Sequence, residues 1–534
     1  MPALKNLFER ENKSAAQSEL QVYLTSRQQR HRIFPLAALV GICAGAVALA
    51  FRVGLSEADI FRGNMISWSQ QRPLWGWMVP VLFAAAGAFI SVLLVRRFAP
   101  EASGSGIPHL EAALQKLRKL NWKKILPVKF FGGIISLGSG LALGREGPTV
   151  QMGGAVGDAI ARWLKVSAQE RRIMISSGAG AGLAAAFNAP MAGLIFVLEE
   201  VRRDFQPIVF GAAFLAAVIA DVIARIGTGQ FPVFAIPGYA TPPLTSIPFF
   251  VLLGIIAGST GVLFNRGLMK TINLYAKIPE RFILPAAALV GGSIGLIGWF
   301  SPSLIGSGHV LAESALHGDI ILKTIPLLFL ARFLMTSVCY STGAPGGIFA
   351  PMLALGALLG LGIGEIAHMI APAAVPTPAV FAVVGMAAYF SAIVRTPLTG
   401  VVLILEMTGN YSQMLPLLIG CFCAYIVAEA MNDTPIYEAL LQRDLSRSKD
   451  IVFFREPTVS EFVIEAGAPY AGITVRDLGL PPGCILIRCS EDGREWVPNA
   501  NTKLRAHMRI TAIISPEAFG GLELVRMGCT ATEF

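Results

Sequence analysis

The chain has 534 residues, of which 54% are hydrophobic and only 14% charged, and its mean hydropathy is +0.61. This balance excludes an ordinary soluble globular protein and makes lipid the main solvent. The net charge of +9 is spread over short basic stretches. These read as membrane topology facing anionic headgroups, and no nucleic-acid partner is expected.

Taken in chain order, residues 1–33 carry Lys5, Arg10, Lys13, Arg27, Arg30 and Arg32 against Glu9, Glu11 and Glu19, without the layout of a cleavable signal peptide. The positive-inside rule predicts a cytoplasmic N-terminal segment there. Apolar stretches follow at Phe34–Phe51, Pro73–Val95, Val209–Ile226, Ile247–Leu268, Phe282–Phe300 and Pro416–Ala430. Each approaches or exceeds the roughly 20 residues that cross a bilayer as a helix. The 55 glycines and 33 prolines fall inside the apolar regions as well as between them, so helices that are short, tilted or broken are expected. Irregular backbone at membrane depth is tolerated only where protein buries it or where it lines a polar cavity. A transporter or channel core fits that composition, and a single-span anchor does not. Lys116, Arg118, Lys119, Lys123 and Lys124, then Arg443, Arg447 and Lys449, form further basic segments, which predicts both termini on the cytoplasmic side of the cell membrane. The seven cysteines have no metal-ligand spacing, and no nucleophile–base pattern or nucleotide loop is present, so no enzyme, cofactor or metal is expected.

The membrane part is one pattern written twice. Residues Leu39 to Leu55 (LVGICAGAVALAFRVGL) align without gaps on Leu252 to Leu268 (LLGIIAGSTGVLFNRGL). Gly104-Ser105-Gly106 recurs as Gly306-Ser307-Gly308, and PMAGLIFVLE (Pro190 to Glu199) recurs as PLTGVVLILE (Pro397 to Glu406). Secondary transporters are commonly built from such halves, with the substrate site where discontinuous helices meet. An odd number of spans per half makes the halves inverted.

Three glycine-proline segments interrupt the core: GSGIP at Gly104 to Pro108, GREGP at Gly144 to Pro148 and GGIFAP at Gly346 to Pro351. Each reads as a loop opening a helix. Glycine lets the backbone approach an ion, and proline near the first turn leaves that turn's unpaired N–H groups pointing outward. Such a start presents donors and partial positive charge, which suits a partly dehydrated anion that must also leave.

In these segments the sequence resembles the CLC family of chloride channels and proton-coupled chloride transporters, over roughly residues 34–440. The resemblance implies an all-α polytopic membrane protein with two inverted-topology repeats, at about 34–228 and 247–432, assembled as a homodimer with one pathway per protomer. It also implies anion ligation by the Ser105 hydroxyl, the Tyr437 phenol and the backbone amides of Ile348 and Phe349, with Gly104, Gly106 and Gly347 shaping the loops. Serine at 105 accompanies chloride preference in the family and proline there nitrate preference, so chloride is the expected substrate, with bromide or nitrate as further anions. The fluoride-exporting members depart from the GREGP and GSGIP wording.

Acids in an apolar core need a reason to be there. Glu146 sits where an ionised carboxylate competes with the anion for helix-start amides and where protonation releases it; Arg145, Gly144 and Gly147 support it. Glu200, the second acid of VLEEVRR, resembles the internal proton glutamate of the family's exchangers, the alternative being an ion pair with Arg202 or Arg203. Glu199 and Glu406, kept in both halves, read as structural, and Glu111 as a supporting acid. His109 stands where many family members carry an acid. Exchange of chloride for protons is the function implied, with a passive chloride channel as the alternative.

Beyond Leu440 the pattern changes. Residues 441–457 read as a charged linker, 458–518 as a small cytoplasmic α+β domain with strands in VSEFVIE, GCILIRCS, REWVPN and MRITAIIS, and 519–534 as a tail. The domain resembles the TrkA-C (RCK-C) module, which implies either a small-molecule or nucleotide ligand or a dimerisation role. The module's usual Gly-Asp before the last strand is His507-Met508 here. It raises a cation transporter as the remote alternative, but no filter-like TVGYG is present.

Overall fold

The computed structural model describes residues 2–72, 74–234, 236, 238–447, 458–480, 482–491, 494–515 and 520–530. The first half holds α1 (Pro2–Gln70), α2 (Met78–Phe98), α3 (Ile107–Leu114), α4 (Trp122–Gly138), α5 (Glu146–Trp163), α6 (Ala168–Phe187), α7 (Pro190–Phe196) and α8 (Pro207–Thr228). The second holds α9 (Ile247–Tyr275), α10 (Glu280–Phe300), α11 (His309–His317), α12 (Ile325–Ser341), α13 (Phe349–Ile370), α14 (Ala379–Val394), α15 (Pro397–Thr408) and α16 (Met414–Ala430). The order of long and short helices is the same in both, so the duplication read from three short matches extends over the whole membrane part. Among the described residues eight helices are long and apolar enough to cross a membrane, including α12 and α13, which lie outside the apolar stretches named from the sequence.

The two halves run in opposite directions. Gly291 lies against Ala84 and Ala88, and Gly295 against Pro80, so α2 and its counterpart α10, both of membrane length, pack antiparallel. Small residues bring backbones close at the other helix pairs as well. Gly153 of α5 meets Gly178 of α6 backbone to backbone, and Gly356 of α13 meets Gly385 of α14 in the corresponding place. Local signals fix the helix ends. Ser167 and Glu170 cap α6 reciprocally, at 3.3 and 2.8 Å.

The chain divides into two compact units, the first ending with a further helix, α17 (Ile436–Arg447). Residues 441–447, read as the start of a linker, therefore complete a helix; the rest of that linker, 448–457, lies outside the described residues. The second unit has an antiparallel sheet of β1 (Thr458–Val463), β2 (Cys484–Glu491), β3 (Arg494–Trp496) and β4 (Arg509–Ile514), in the order β1-β4-β2-β3. Its core of Ile464, Leu486, Cys489, Ile510, Ala512 and Ile514 is closed by α18 (Gly520–Cys529), within the stretch read as a tail. Val525 and Cys529 explain why that segment folds: they sit one helical turn apart and are both buried. Burial pushes the Cys529 thiol up to about 11, so it packs as a small apolar group. His507, where the resembling modules have glycine, takes a φ of 68°. The turn before β4 is thus left-handed at a residue other than glycine, the residue best suited to it.

Candidate functional site

Backbone hydrogen bonds draw the three glycine-proline segments together. The N–H of Gly144 donates to the Gly347 carbonyl at 2.6 Å and the N–H of Gly347 donates back to the Gly144 carbonyl at 2.7 Å, a two-residue antiparallel bridge between equivalent positions of the two halves. The N–H of Gly346 donates to the Gly104 carbonyl at 3.0 Å. Two glycines are required by geometry. Gly106 has a φ of 81°, with the Gln151 side chain where a Cβ would be, and a Cβ on Gly147 would meet Ser105 Oγ at 2.5 Å.

Ser105 is fully buried just before α3. Its Oγ lies 3.5 Å from the Ile107 N–H, too long to cap that helix well, and its N–H donates to Tyr340 Oη at 3.4 Å. Ile348 and Phe349 bury their side chains completely; Phe349 is held among Phe187, Phe196 and Phe390 at 4.5–6.1 Å. These side chains face the core, and what the start of α13 has left to offer is its first-turn N–H groups. Tyr437, on α17, is also fully buried, and among the described residues nothing hydrogen-bonds its hydroxyl.

Glu146 opens α5 and is 2% exposed. Its Oε2 accepts from the Ala350 N–H at 3.4 Å, and its Oε1 lies 3.9 Å from Arg145 Nε. A carboxylate from one half thus sits on the helix start of the other, at the amide one residue beyond the expected anion-binding pair. On its far side a cavity of about 610 Å³ is lined by Arg52, Arg145, Glu146, Ser307, His309 and Ala350, with His309 stacked on Phe234 at 4.5 Å.

Glu200 belongs to a π-helical segment, Val197–Val201, closed by Arg202 N–H on the Val197 carbonyl at 2.8 Å. Such a wide turn redirects two adjacent side chains, and the adjacent acids go separate ways. The Glu199 carboxylate accepts from the N–H groups of Leu398 (3.2 Å) and Thr399 (2.7 Å) at the start of α15. Glu406 does the same in return, accepting from Met191 at 3.0 Å and Ala192 at 2.8 Å at the start of α7. Each half therefore caps a helix of the other. Glu200 instead turns inward, 3% exposed, with Oε1 lacking any hydrogen bond and Arg203 Nη2 3.9 Å away. It lines a cavity of about 260 Å³ with Glu111, whose Oε1 is likewise without a hydrogen bond, and with Arg172 and Arg203. This cavity lies just before α8 and the larger one at its end. The 22 residues of α8 span ~33 Å, so the two cavities lie about one membrane thickness apart.

Sequence reasoning missed Lys129 and Arg332. Both are fully buried and both tie down a glycine loop: Lys129 Nζ donates to the carbonyls of Ala102 (2.9 Å) and Gly104 (2.6 Å), and Arg332 donates to those of Leu304 (2.9 Å) and Gly306 (2.6 Å). They stand the same distance upstream of the α5 and α13 starts, so aligning the repeats through the apolar helices would have paired them.

An inverted-repeat membrane protein whose broken helices meet end to end around buried acids is built as an ion-transport core. The family profile described as voltage gated chloride channel matches residues 86–429, and the chain belongs to the CLC family. It carries a C-terminal TrkA-C domain, matched over residues 459–523. A relative from Vibrio parahaemolyticus, described as an H(+)/Cl(-) exchange transporter ClcA, is 42% identical over 421 residues, which cover 78% of this chain and 90% of the relative. Its counterpart from Vibrio cholerae is 42% identical over 434 residues, 80% of this chain and 92% of the relative. The crystal structure of a slow cyanobacterial Cl−/H+ antiporter superposes with a TM-score of 0.76 at 37% identity, covering 78% of this chain and 99% of that one. A eukaryotic CLC transporter, at a TM-score of 0.66 and 21% identity, covers 84% of this chain and 78% of that one and shares the fold.

Proposed function

We propose that this chain is a secondary transporter that exchanges chloride for protons. The observation that carries the reading is the Glu146 carboxylate seated on the Ala350 N–H at the start of α13. An anion arriving there must displace it, and a proton arriving there weakens its hold, so one side chain makes the two ions alternate. Chloride would be held by the Ser105 hydroxyl, the Tyr437 hydroxyl and the amides of Ile348 and Phe349, with bromide and nitrate as weaker substitutes. Glu200 would take protons from the smaller cavity and Glu146 release them into the larger. The basic N-terminal segment supports a cytoplasmic Glu200 side: α1 packs parallel to α8, with Phe34 near Gly211 and Leu49 near Gly227, so the start of α1 lies at the Glu200 end. α17 also lies at that end, with Glu438 3.5 Å from Arg203, which supports a cytoplasmic location for the start of α1 and for α17 alike. The protein works in the plasma membrane as a homodimer with one pathway per protomer, assembled through its membrane unit, and the TrkA-C domain adds either a small-molecule or nucleotide site or a further dimer contact.

Purified protein in liposomes tests the reading. A chloride gradient should drive protons uphill, read with a pH electrode, and Glu200→Gln should stop proton movement while anion flux persists. Chloride flux without proton movement in the wild type would establish a passive channel, and an unchanged proton-to-chloride ratio in Glu200→Gln would remove that residue from the mechanism.

A further inference from the structure

We infer that Arg203 is a positioning residue that sets how readily Glu200 takes up a proton, by dividing its guanidinium between Glu200 and Glu438. This rests on the exchange reading and adds to it a link between the proton acid and the segment bearing Tyr437. Arg203 follows Arg202, which closes the π turn, and its φ of 51° puts a non-glycine residue in the left-handed region. That conformation is costly for a long side chain and persists where surrounding contacts fix it. Here it aims the two Nη atoms at two different acids: Nη2 is 3.9 Å from Glu200 Oε1, and Nη1 is 3.5 Å from Glu438 Oε2. Glu438 directly follows Tyr437 on α17 and also accepts from Gln442 at 3.3 Å. A lysine, with a single charged atom, has no such fork.

The distances decide what the contact does. At 3.9 Å the Glu200 pair is a charge contact without a hydrogen bond, and Glu200 Oε1 keeps a lone pair on which a proton can sit. Arg203 is half-exposed, so solvent screens it, and the contact favours the ionised acid without locking it. The other groups facing Glu200 do not duplicate this. On its own segment Glu199 is committed to α15 and Arg202 pairs with Asp204 at 3.3 Å; α3 contributes Glu111, α6 Arg172 and α17 Tyr437 with Glu438.

The test is proton flux driven by a fixed chloride gradient in liposomes, measured against internal pH for wild type, Arg203→Gln, Arg203→Lys and Glu438→Gln. An opposite charge at about 4 Å moves a carboxyl's titration by roughly 1–3 pH units, and a half-exposed partner belongs at the low end. Arg203→Gln should therefore shift the half-maximal internal pH about one unit alkaline, a roughly tenfold change in proton concentration. Arg203→Lys, which keeps the charge and loses the fork, should fall between wild type and Arg203→Gln. Glu438→Gln, which frees the guanidinium for Glu200 and removes a nearby negative charge, should shift the curve toward acid; it also keeps the assignment testable if Arg203→Gln does not fold. Curves that coincide, or that move in the same direction for both variants, overturn the role of Arg203 while leaving exchange intact. A wild type that moves chloride without protons overturns both.

Discussion

Glu146→Ala removes the carboxylate that occupies the start of α13, and the structure gives the size of the effect. The displaced interaction is one charge-assisted hydrogen bond of 3.4 Å to Ala350, assisted by an Arg145 contact at 3.9 Å from a side chain that is 25% exposed. The long hydrogen bond belongs at the low end of its class, about 1.5 kcal/mol, and the exposed ion pair adds little. Removing this competitor should tighten chloride binding roughly tenfold. It should also abolish proton movement and leave anion flux nearly independent of pH, because the side chain that alternates with the anion is gone. Calorimetric titration of chloride into purified protein reads the first effect, and paired chloride and pH electrodes on liposomes read the others. A variant that still moves protons uphill, or that binds chloride no more tightly than wild type, refutes the assignment of Glu146 as the competing group.

Ser105→Pro should shift selectivity from chloride toward nitrate, since a hydroxyl donor is lost while the start of α3 is kept; unchanged relative fluxes of the two anions would make Ser105 a poor helix cap and nothing more. Glu406→Gln leaves one amide acceptor where two charged oxygens served Met191 and Ala192. It should cost about 2–3 kcal/mol, seen as a lower thermal aggregation temperature with the proton-to-chloride ratio unchanged; an unaltered transition temperature would mean the clasp is not structural. Deletion after Ser448 should leave an assembled, chloride-transporting membrane unit, because the sixteen paired helices and α17 all precede it; loss of the dimer on gel filtration would make the C-terminal domain the assembly element.

What could be read in advance depended on how local the physics was. GSGIP, GREGP and GGIFAP announce helix starts because glycine and proline act within a few residues, and the structure puts those starts where they were expected. The structural reading of Glu199 and Glu406 came from their recurrence in both halves, yet their partners were invisible. Which amides they cap depends on α7 and α15 meeting antiparallel, some 200 residues apart in sequence. The same holds for Lys129 and Arg332: a charge inside an apolar helix signals a purpose, but the carbonyls it serves come from a distant loop. Arg202 and Arg203 looked interchangeable as partners of Glu200, and the π turn separates them, sending Arg202 to Asp204 and Arg203 to Glu200. α18 went unread because its few apolar positions are significant only once the sheet beneath them exists.

The exchange of caps between Glu199 and Glu406 bears on how such a chain could have arisen. Each carboxylate is useless to its own half: it neutralises a helix start in the other one. A half-length ancestor carrying a single such glutamate would have exposed an uncapped helix and a stranded charge in the bilayer until it met a second copy of itself. On meeting it, both defects would have been cured at once by one symmetric contact. Obligate pairing in opposite orientations therefore precedes gene fusion in the logic of the fold. Within one chain the two halves need not stay identical, and they differ at the proton path: Glu146 stands where the other half has Phe349, and Glu200 where it has Met407.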